Sequence, residues 1–194
     1  LVLSLLACVP DRQRTLRELE LGRTLVRDES AGVYVIRHGP EDYKTGGVYG
    51  ERPPLPLSAP LSAGLDEFVR EWRRELRPTG PHLLCQVRSG RPMTRDGIYS
   101  VVARTCFKHT GKKTNPHLVR DMIVTHARDT QATERELEAL ALCMGHSLSM
   151  QRNSYDRRTK AAKAAPGIEL LHALSQGSAV LGRKDETGPG DAEP

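Results

Sequence analysis

Six side chains in this 194-residue sequence have the chemistry to handle a phosphate diester together: Arg12, Lys44, His117, Arg120, His146 and Tyr155. Phosphodiester transfer through a covalent intermediate needs a nucleophile, cations on the non-bridging oxygens, a general base, and an acid for the departing oxygen. A tyrosine hydroxyl is mostly protonated near neutrality and must be activated by a neighbouring base and by positive charge. Arginine suits the phosphate, because its planar fork matches two oxygens at once. With arginines in that role the chemistry calls for no metal and no cofactor.

Three local arrangements supply these parts. His117-Leu-Val-Arg120 places a histidine and an arginine at i and i+3, on one helical face. That helix opens after Asn115-Pro116, and its N-terminus adds partial positive charge. His146 follows a glycine stop at Gly145, where an exposed side chain can project into a cleft, and Tyr155 lies one short loop later. Taken singly, each has a plainer meaning. A His-Arg pair often opens a solvated helix, a Gly-His pair is often only a cap, a tyrosine is often packing, and Lys44 in a Gly-rich loop is normally solvated. Their joint occurrence, in this order, is what separates them from background.

The elements that must position these residues follow from apolar spacing and chain punctuation. Leu1–Cys8 reads as a buried helical segment ending near Pro10, followed by Arg12, with Leu16 and Leu19 on one face and Gly22 as a stop. Leu25-Val26 and Val33–Ile36 read as strands joined by a turn at Asp28–Gly32. His38–Glu51 reads as a hairpin tip carrying Lys44. Arg52–Leu57 is extended, and its prolines confine it to a sheet edge. Ser62 is expected to cap a helix to about Leu76, with Leu65, Phe68, Val69 and Trp72 inward. After a connector at Arg77–Pro92, in which His82–Cys85 is either a strand or core packing, Thr94 starts a helix with Ile98, Val101, Val102 and Cys106 inward and Gly111 as its stop.

Pro116–Asp129 is expected as a helix with Leu118, Met122 and Ile123 inward. Thr133-Glu-Arg-Glu136 is a capping box for a helix that carries Leu137, Leu140 and Met144 and ends at Gly145. Tyr155 then falls in a short helix, and Ile168–Leu174 forms one further amphipathic turn or two. The expected fold class is α+β, mostly α, with a small antiparallel β-sheet near the N-terminus. Residues 1–182 are expected as one domain and 183–194, polar and rich in Gly, Pro and acid, as a disordered tail.

The bulk composition agrees with a polyanionic partner. The net charge is +5 and the pI about 9.2. The local pattern is sharper: Arg88 to Arg120 holds eight Lys/Arg against one acid, and Gln151 to Lys163 holds five against one. Arg88, Arg91, Arg95, Lys112, Lys113 and Arg152 are therefore candidate DNA contacts, the Lys112-Lys113 pair reading equally as a solvated turn. The four cysteines are widely spaced with no C-x-x-C pair, which signals neither a zinc site nor a disulfide framework and points to a reducing, intracellular setting. No run approaches the ~20 apolar residues that span a bilayer, so no membrane partner is expected.

These motifs carry a resemblance. Pro116-His-Leu-Val-Arg-Asp-Met-Ile-Val-Thr-His126 resembles the H-x-x-R helix of the tyrosine recombinases, the phage integrases among them. Leu142-Cys-Met-Gly-His-Ser147 resembles their L-G-H-S turn, and Tyr155 falls at the position of the nucleophile. Arg12, with Leu16 and Leu19 after it, resembles their first arginine. Lys44, before Pro54-Leu-Pro-Leu57, resembles the lysine of their β-hairpin. The resemblance covers about Leu1 to Pro166. It implies the catalytic domain without the DNA-clamping domain that usually precedes it.

In that family the two arginines and the histidine of the turn bind the scissile phosphate. The lysine is the general acid, the first histidine assists as base, and the tyrosine forms a 3′-phosphotyrosyl link. The roles pass to Arg12 and Arg120, His146, Lys44, His117 and Tyr155. The first motif departs from the family pattern, reading Pro10-Asp-Arg-Gln-Arg-Thr, so Arg14 and Arg17 stay open as alternatives to Arg12. Asp121 stands where the family often has a histidine. The implied function is site-specific recombination or integration of double-stranded DNA by a homo-oligomer, a tetramer on DNA. A type IB topoisomerase-like activity and a DNA-binding module that no longer cleaves are the rivals. Ile168–Leu174 is expected either to dock on a neighbouring subunit or to pack on its own domain.

Overall fold

A computed structural model describes residues 1–9 and 11–175; the tail expected at 183–194 lies outside the described residues. The chain divides into a first unit, Leu1–Arg157, and a second, Arg158–Pro194. The first opens with α1 (Val2–Cys8) and α2 (Gln13–Arg17), then forms the antiparallel sheet β1 (Leu25–Asp28), β2 (Val33–Ile36) and β3 (Leu55–Pro56), in that spatial order. Leu25 pairs with Ile36, and Ile36 in turn with Leu55. The β1–β2 turn is tied by Asp28, whose Oδ1 accepts from the Ser30 and Ala31 amides. β3, flanked by prolines, stays at the sheet edge as expected.

The segment from His38 to Glu51 is more structured than a plain hairpin tip. It holds a 3-10 turn at Pro40–Asp42 and a short helix, α3 (Gly46–Tyr49). The next helix, α4 (Ala59–Glu67), begins one turn earlier than expected, with Ser58 rather than Ser62 at its cap position. Ser62 lies inside that helix instead. Its buried hydroxyl accepts from the Tyr34 amide at 3.0 Å and so fastens α4 to the sheet. The helix widens through a π-helical stretch at Phe68–Trp72 and ends as α5 (Arg73–Glu75). That widening turns Trp72 out: it is 59% exposed, and its indole N–H donates to Glu67 rather than filling the core.

The main core lies between the sheet, α1, α2, α4 and α6 (Arg95–Thr110), with Leu5, Leu6, Leu16, Leu19, Leu65, Leu83, Ile98 and Val102 all buried. His82–Cys85 forms no regular strand; Leu83, Leu84 and Cys85 serve as core packing. Thr94 caps α6 by accepting from the Gly97 amide, and Gly111 ends it.

α7 (Pro116–Asp129) starts where expected, with Asn115 accepting from the His117 and Leu118 amides. Its inward face is not the expected one. Leu118 and Met122 are exposed, while Arg120, Asp121 and Val124 are buried. Apolar periodicity points to the wrong side because this helix turns Arg120 and Asp121 toward the interior beside Val124. α8 (Glu134–Cys143) carries the expected capping box, and α9 (Leu148–Met150) leads into a single π-helical turn at Gln151–Tyr155. A small second core of Val124, Met144 and Tyr155, backed by Leu140, joins these last elements. In the second unit, α10 (Lys160–Ser175) contains Ile168–Leu174 as part of one longer helix with Pro166 inside it.

Leu65 is fully buried where α4 meets the sheet. Leu65→Ala is expected to lower unfolding free energy by roughly 2–5 kcal/mol through lost transfer energy and a residual cavity, read as a fall in the urea midpoint.

Candidate active site

The site is built around the C-terminal end of α8. A helix leaves its last carbonyls without intrahelical partners, and they carry partial negative charge. Here the Met144, Gly145 and His146 amides take up the carbonyls of Leu140, Leu142 and Ala141, and three side chains from distant segments take up the next two, of Met144 and Gly145. Arg120 and Arg52 each donate through Nη2 to the Met144 carbonyl at 3.4 Å, and the Thr45 hydroxyl donates to the Gly145 carbonyl at 2.6 Å. Gly145 has φ +64°, the left-handed conformation that lets the chain reverse and present His146. A Cβ there would also meet the Arg52 guanidinium at 2.5 Å.

Four of the residues singled out by sequence come together at this end. Arg120, 1% exposed, has Nη2 3.5 Å from the Tyr155 hydroxyl and its guanidinium carbon 5.1 Å from the ring centre. His146 stacks on the same ring, with centroids 4.8 Å apart and planes at 20°. His117 meets it edge-on at 5.6 Å. His146 is buried, not exposed as the Gly-His turn suggested, because Tyr155 covers it. Burial and the adjacent Arg120 charge depress its pKa to about 4, so the ring is neutral near pH 7. Its Nδ1 faces the Ser147 carbonyl at 3.3 Å; a carbonyl only accepts, which assigns the ring proton to Nδ1. Nε2 is buried without a hydrogen-bond partner. Burial also lowers the Arg120 pKa from its ordinary value, though a guanidinium remains charged.

Arg12 is separated from its rivals by its neighbours. Arg14 and Arg17 both pair with Glu18. Arg12 donates through Nη1 to the Thr45 hydroxyl at 3.4 Å, and its charge acts on both Arg120 and His146. Lys44, next to Thr45, is exposed and makes no hydrogen bond or ion pair with another described residue.

No family model and no curated protein matches the sequence. Solved structures do match in shape. The chain superposes on XerA recombinase with TM-score 0.62 at 17% identity, over 88% of this chain and 56% of that one. XerH site-specific recombinase bound to its difH substrate gives 0.61 at 17%, over 94% and 46%. The Tn1549 transposon integrase in complex with transposon right-end DNA gives 0.56 at 20%, over 88% and 57%. The chain has the fold of a tyrosine-recombinase catalytic domain. It spans about half the length of these proteins.

On this tyrosine-recombinase fold the basic candidates are spread over the surface. Arg88, Arg91, Arg95, Lys112 and Lys113 are exposed, whereas Arg152 pairs with Glu134. Arg95 and His117 share the wall of an open groove with Gln13, Tyr99 and Asn115. Among the described residues, no three His, Cys, Asp or Glu side chains are grouped to hold a metal ion. No helix among them is long and apolar enough to cross a membrane.

Sequence reasoning missed the layer behind the site. Arg52 is buried, donates to Asp11 at 2.5 Å, lies 4.0 Å over the Tyr43 ring and braces Met144. His38, without a role in the sequence, sits 3.8 Å from the same Asp11 carboxylate, and burial lowers its pKa. The only clue to Arg52 was an arginine fixed by prolines in an extended segment, which has many plainer explanations.

The His146 shift carries a stability consequence. Its folded pKa, about 4, lies below the ordinary 6.5, so unfolded chains bind the proton more tightly. Its contribution is complete above about 6.5 and lost as pH falls toward 4. The gap in melting temperature between wild type and His146→Gln is expected to move against wild type across that window, in thermal scans at stepped pH. Gly145→Ala, strained by its φ and by Arg52, is expected to destabilise by more than ~1 kcal/mol in chemical denaturation.

Proposed function

We propose that this chain breaks and rejoins DNA strands, with Tyr155 as the nucleophile. The Tyr155 Oη attacks phosphorus, its bond to phosphorus forms, and the bond to the 5′-oxygen breaks. His117 takes the tyrosine proton, and Lys44 gives a proton to the leaving 5′-oxygen. Arg12 and Arg120 hold the non-bridging oxygens, and His146 joins them through Nε2–H once the negative charge of the bound phosphate has drawn a proton onto that nitrogen. The phosphodiester energy stays in the 3′-phosphotyrosyl bond, so attack by a 5′-hydroxyl reseals the strand without ATP.

One observation carries this reading: Arg120, His117 and His146 gather around Tyr155, the arginine at its hydroxyl and the two imidazoles against its ring. A buried arginine aimed at a tyrosine hydroxyl is the electrostatic arrangement that activates it and receives charge developing on phosphate. The matched proteins include a recombinase and an integrase solved with DNA, which supports double-stranded DNA as the partner. The chain would then act as a site-specific recombinase or integrase, inside the cell and as a homo-oligomer, a tetramer on its DNA. Arg88, Arg91, Arg95, Lys112 and Lys113 would contact the backbone, with Arg152 after release from Glu134, making binding strongly salt-dependent.

A second reading has an observation of its own. Tyr155 is only 4% exposed and Lys44 is not engaged with the cluster, as in a module that binds DNA without cutting it. In the active reading the side chains around Tyr155 shift when DNA seats. A pool of nicked suicide duplexes with randomised flanks separates the two, with covalent complex captured on denaturing gels. Wild type is expected to trap complex and Tyr155→Phe none. Arg120→Ala is expected to cleave the captured sequences about 10²–10³-fold more slowly. Binding without any trapped complex would establish the non-cleaving module, and normal cleavage by Arg120→Ala would remove the assignment of the site.

A further inference from the structure

Asp121 is one helical turn past His117 on α7 and is 1% exposed. Isolated carboxylates are rarely tolerated at such depth. One oxygen, Oδ2, accepts from the Arg157 Nε at 2.9 Å. The other, Oδ1, is buried with no hydrogen-bond partner, and the His117 Nε2 stands 3.9 Å from it. The His117 ring in turn lies edge-on to Tyr155. A buried acceptor left unmade is costly, so its direction is informative.

We propose that Asp121 is a positioning residue that holds the His117 imidazole against Tyr155. The inference rests on the strand-transfer function proposed above and assigns how its base is set. A proton on Nε2 directed at the carboxylate leaves Nδ1 as the ring's acceptor, available for the tyrosine proton. A short adjustment of the exposed His117 side chain closes 3.9 Å to hydrogen-bond length, and such contacts commonly tighten only when substrate binds. Arg157 fixes the carboxylate from the opposite side. It stands two residues after Tyr155, and its amide donates to Thr125 at 3.0 Å, so the segment carrying the nucleophile also secures the residue that sets the base.

A plainer role is available: Asp121 would serve only to anchor Arg157. The two roles differ in their dependence on His117, which a double-mutant cycle reads directly. Single-turnover cleavage is measured on a suicide duplex recovered from the randomised pool, with binding of the same duplex followed in parallel. Asp121→Asn is expected to slow cleavage by about tenfold or more with binding unchanged, and to change the rate by less than about twofold in a His117→Ala background. Equal slowing in both backgrounds overturns the proposal, as does no slowing in either.

A second measurement needs no cleavage. In proton NMR of the free protein, the through-space contact between the His117 and Tyr155 rings is expected in wild type and to weaken in Asp121→Asn. An unchanged contact overturns the positioning role whatever the enzyme does. A weakened contact in a protein that never traps DNA sustains the positioning role and overturns the strand-transfer reading instead.

Discussion

A guanidinium removed from water needs oxygen acceptors, and in this protein the Met144 carbonyl serves two of them, with Asp11 as the ionic partner of Arg52. Arg120 and Arg52 approach that carbonyl from α7 and from the segment before β3. The arrangement works because the end of a helix exposes carbonyls that nothing within the helix can satisfy, with the negative pole of the peptide dipoles behind them. Each side solves the other's problem. Two arginines gain an acceptor, and the carbonyl that ends α8 gains donors from residues far away in the chain. Thr45 does the same at Gly145.

Position at the site follows from this junction. Arg120 cannot lie under α7 unless α8 ends where it does, and α8 ends there because Gly145 reverses the chain with φ +64°. His146 emerges from that reversal directly onto the Tyr155 ring. Tyr155 arrives through a π-helical turn whose Gln151 donates back to the Leu137 carbonyl at 3.2 Å. One extra residue per turn rotates a side chain relative to an ordinary helix, and such widened turns are often found at functional sites. The cluster is therefore held by backbone geometry as much as by side-chain packing.

Local signals in the sequence were decisive wherever one residue type satisfies one backbone need. Asn115-Pro116 opened α7, Thr133 and Glu136 opened α8, Thr94 opened α6, and Gly111 and Gly145 closed their helices. The two strands and their turn at Asp28–Gly32 were equally plain. Spacing rules failed where burial and charge coincide. On α7 the apolar Leu118 and Met122 suggested an inward face, but the interior there holds Arg120 and Asp121. A pattern that scores hydrocarbon cannot recognise a face buried for its charge. Trp72 was misplaced for a related reason: the π-helical stretch in α4–α5 breaks the period on which the prediction relied.

By itself, then, the sequence marked the capped ends of α6, α7 and α8 and the small sheet, and it singled out His117, Arg120, His146 and Tyr155, which the structure brings together. Short-range hydrogen bonding and fixed motif spacing suffice for that. Only the tertiary structure distinguishes the surroundings of Arg12, Arg14 and Arg17: Glu18 takes up the latter two, while Arg12 donates to Thr45 and its charge acts on Arg120 and His146. Only it revealed Arg52, Asp11 and His38 behind the site and Asp121 beside it. Those residues matter through desolvation and, in the case of Arg52, through partners 41 and 92 positions away, and neither quantity is written in local sequence.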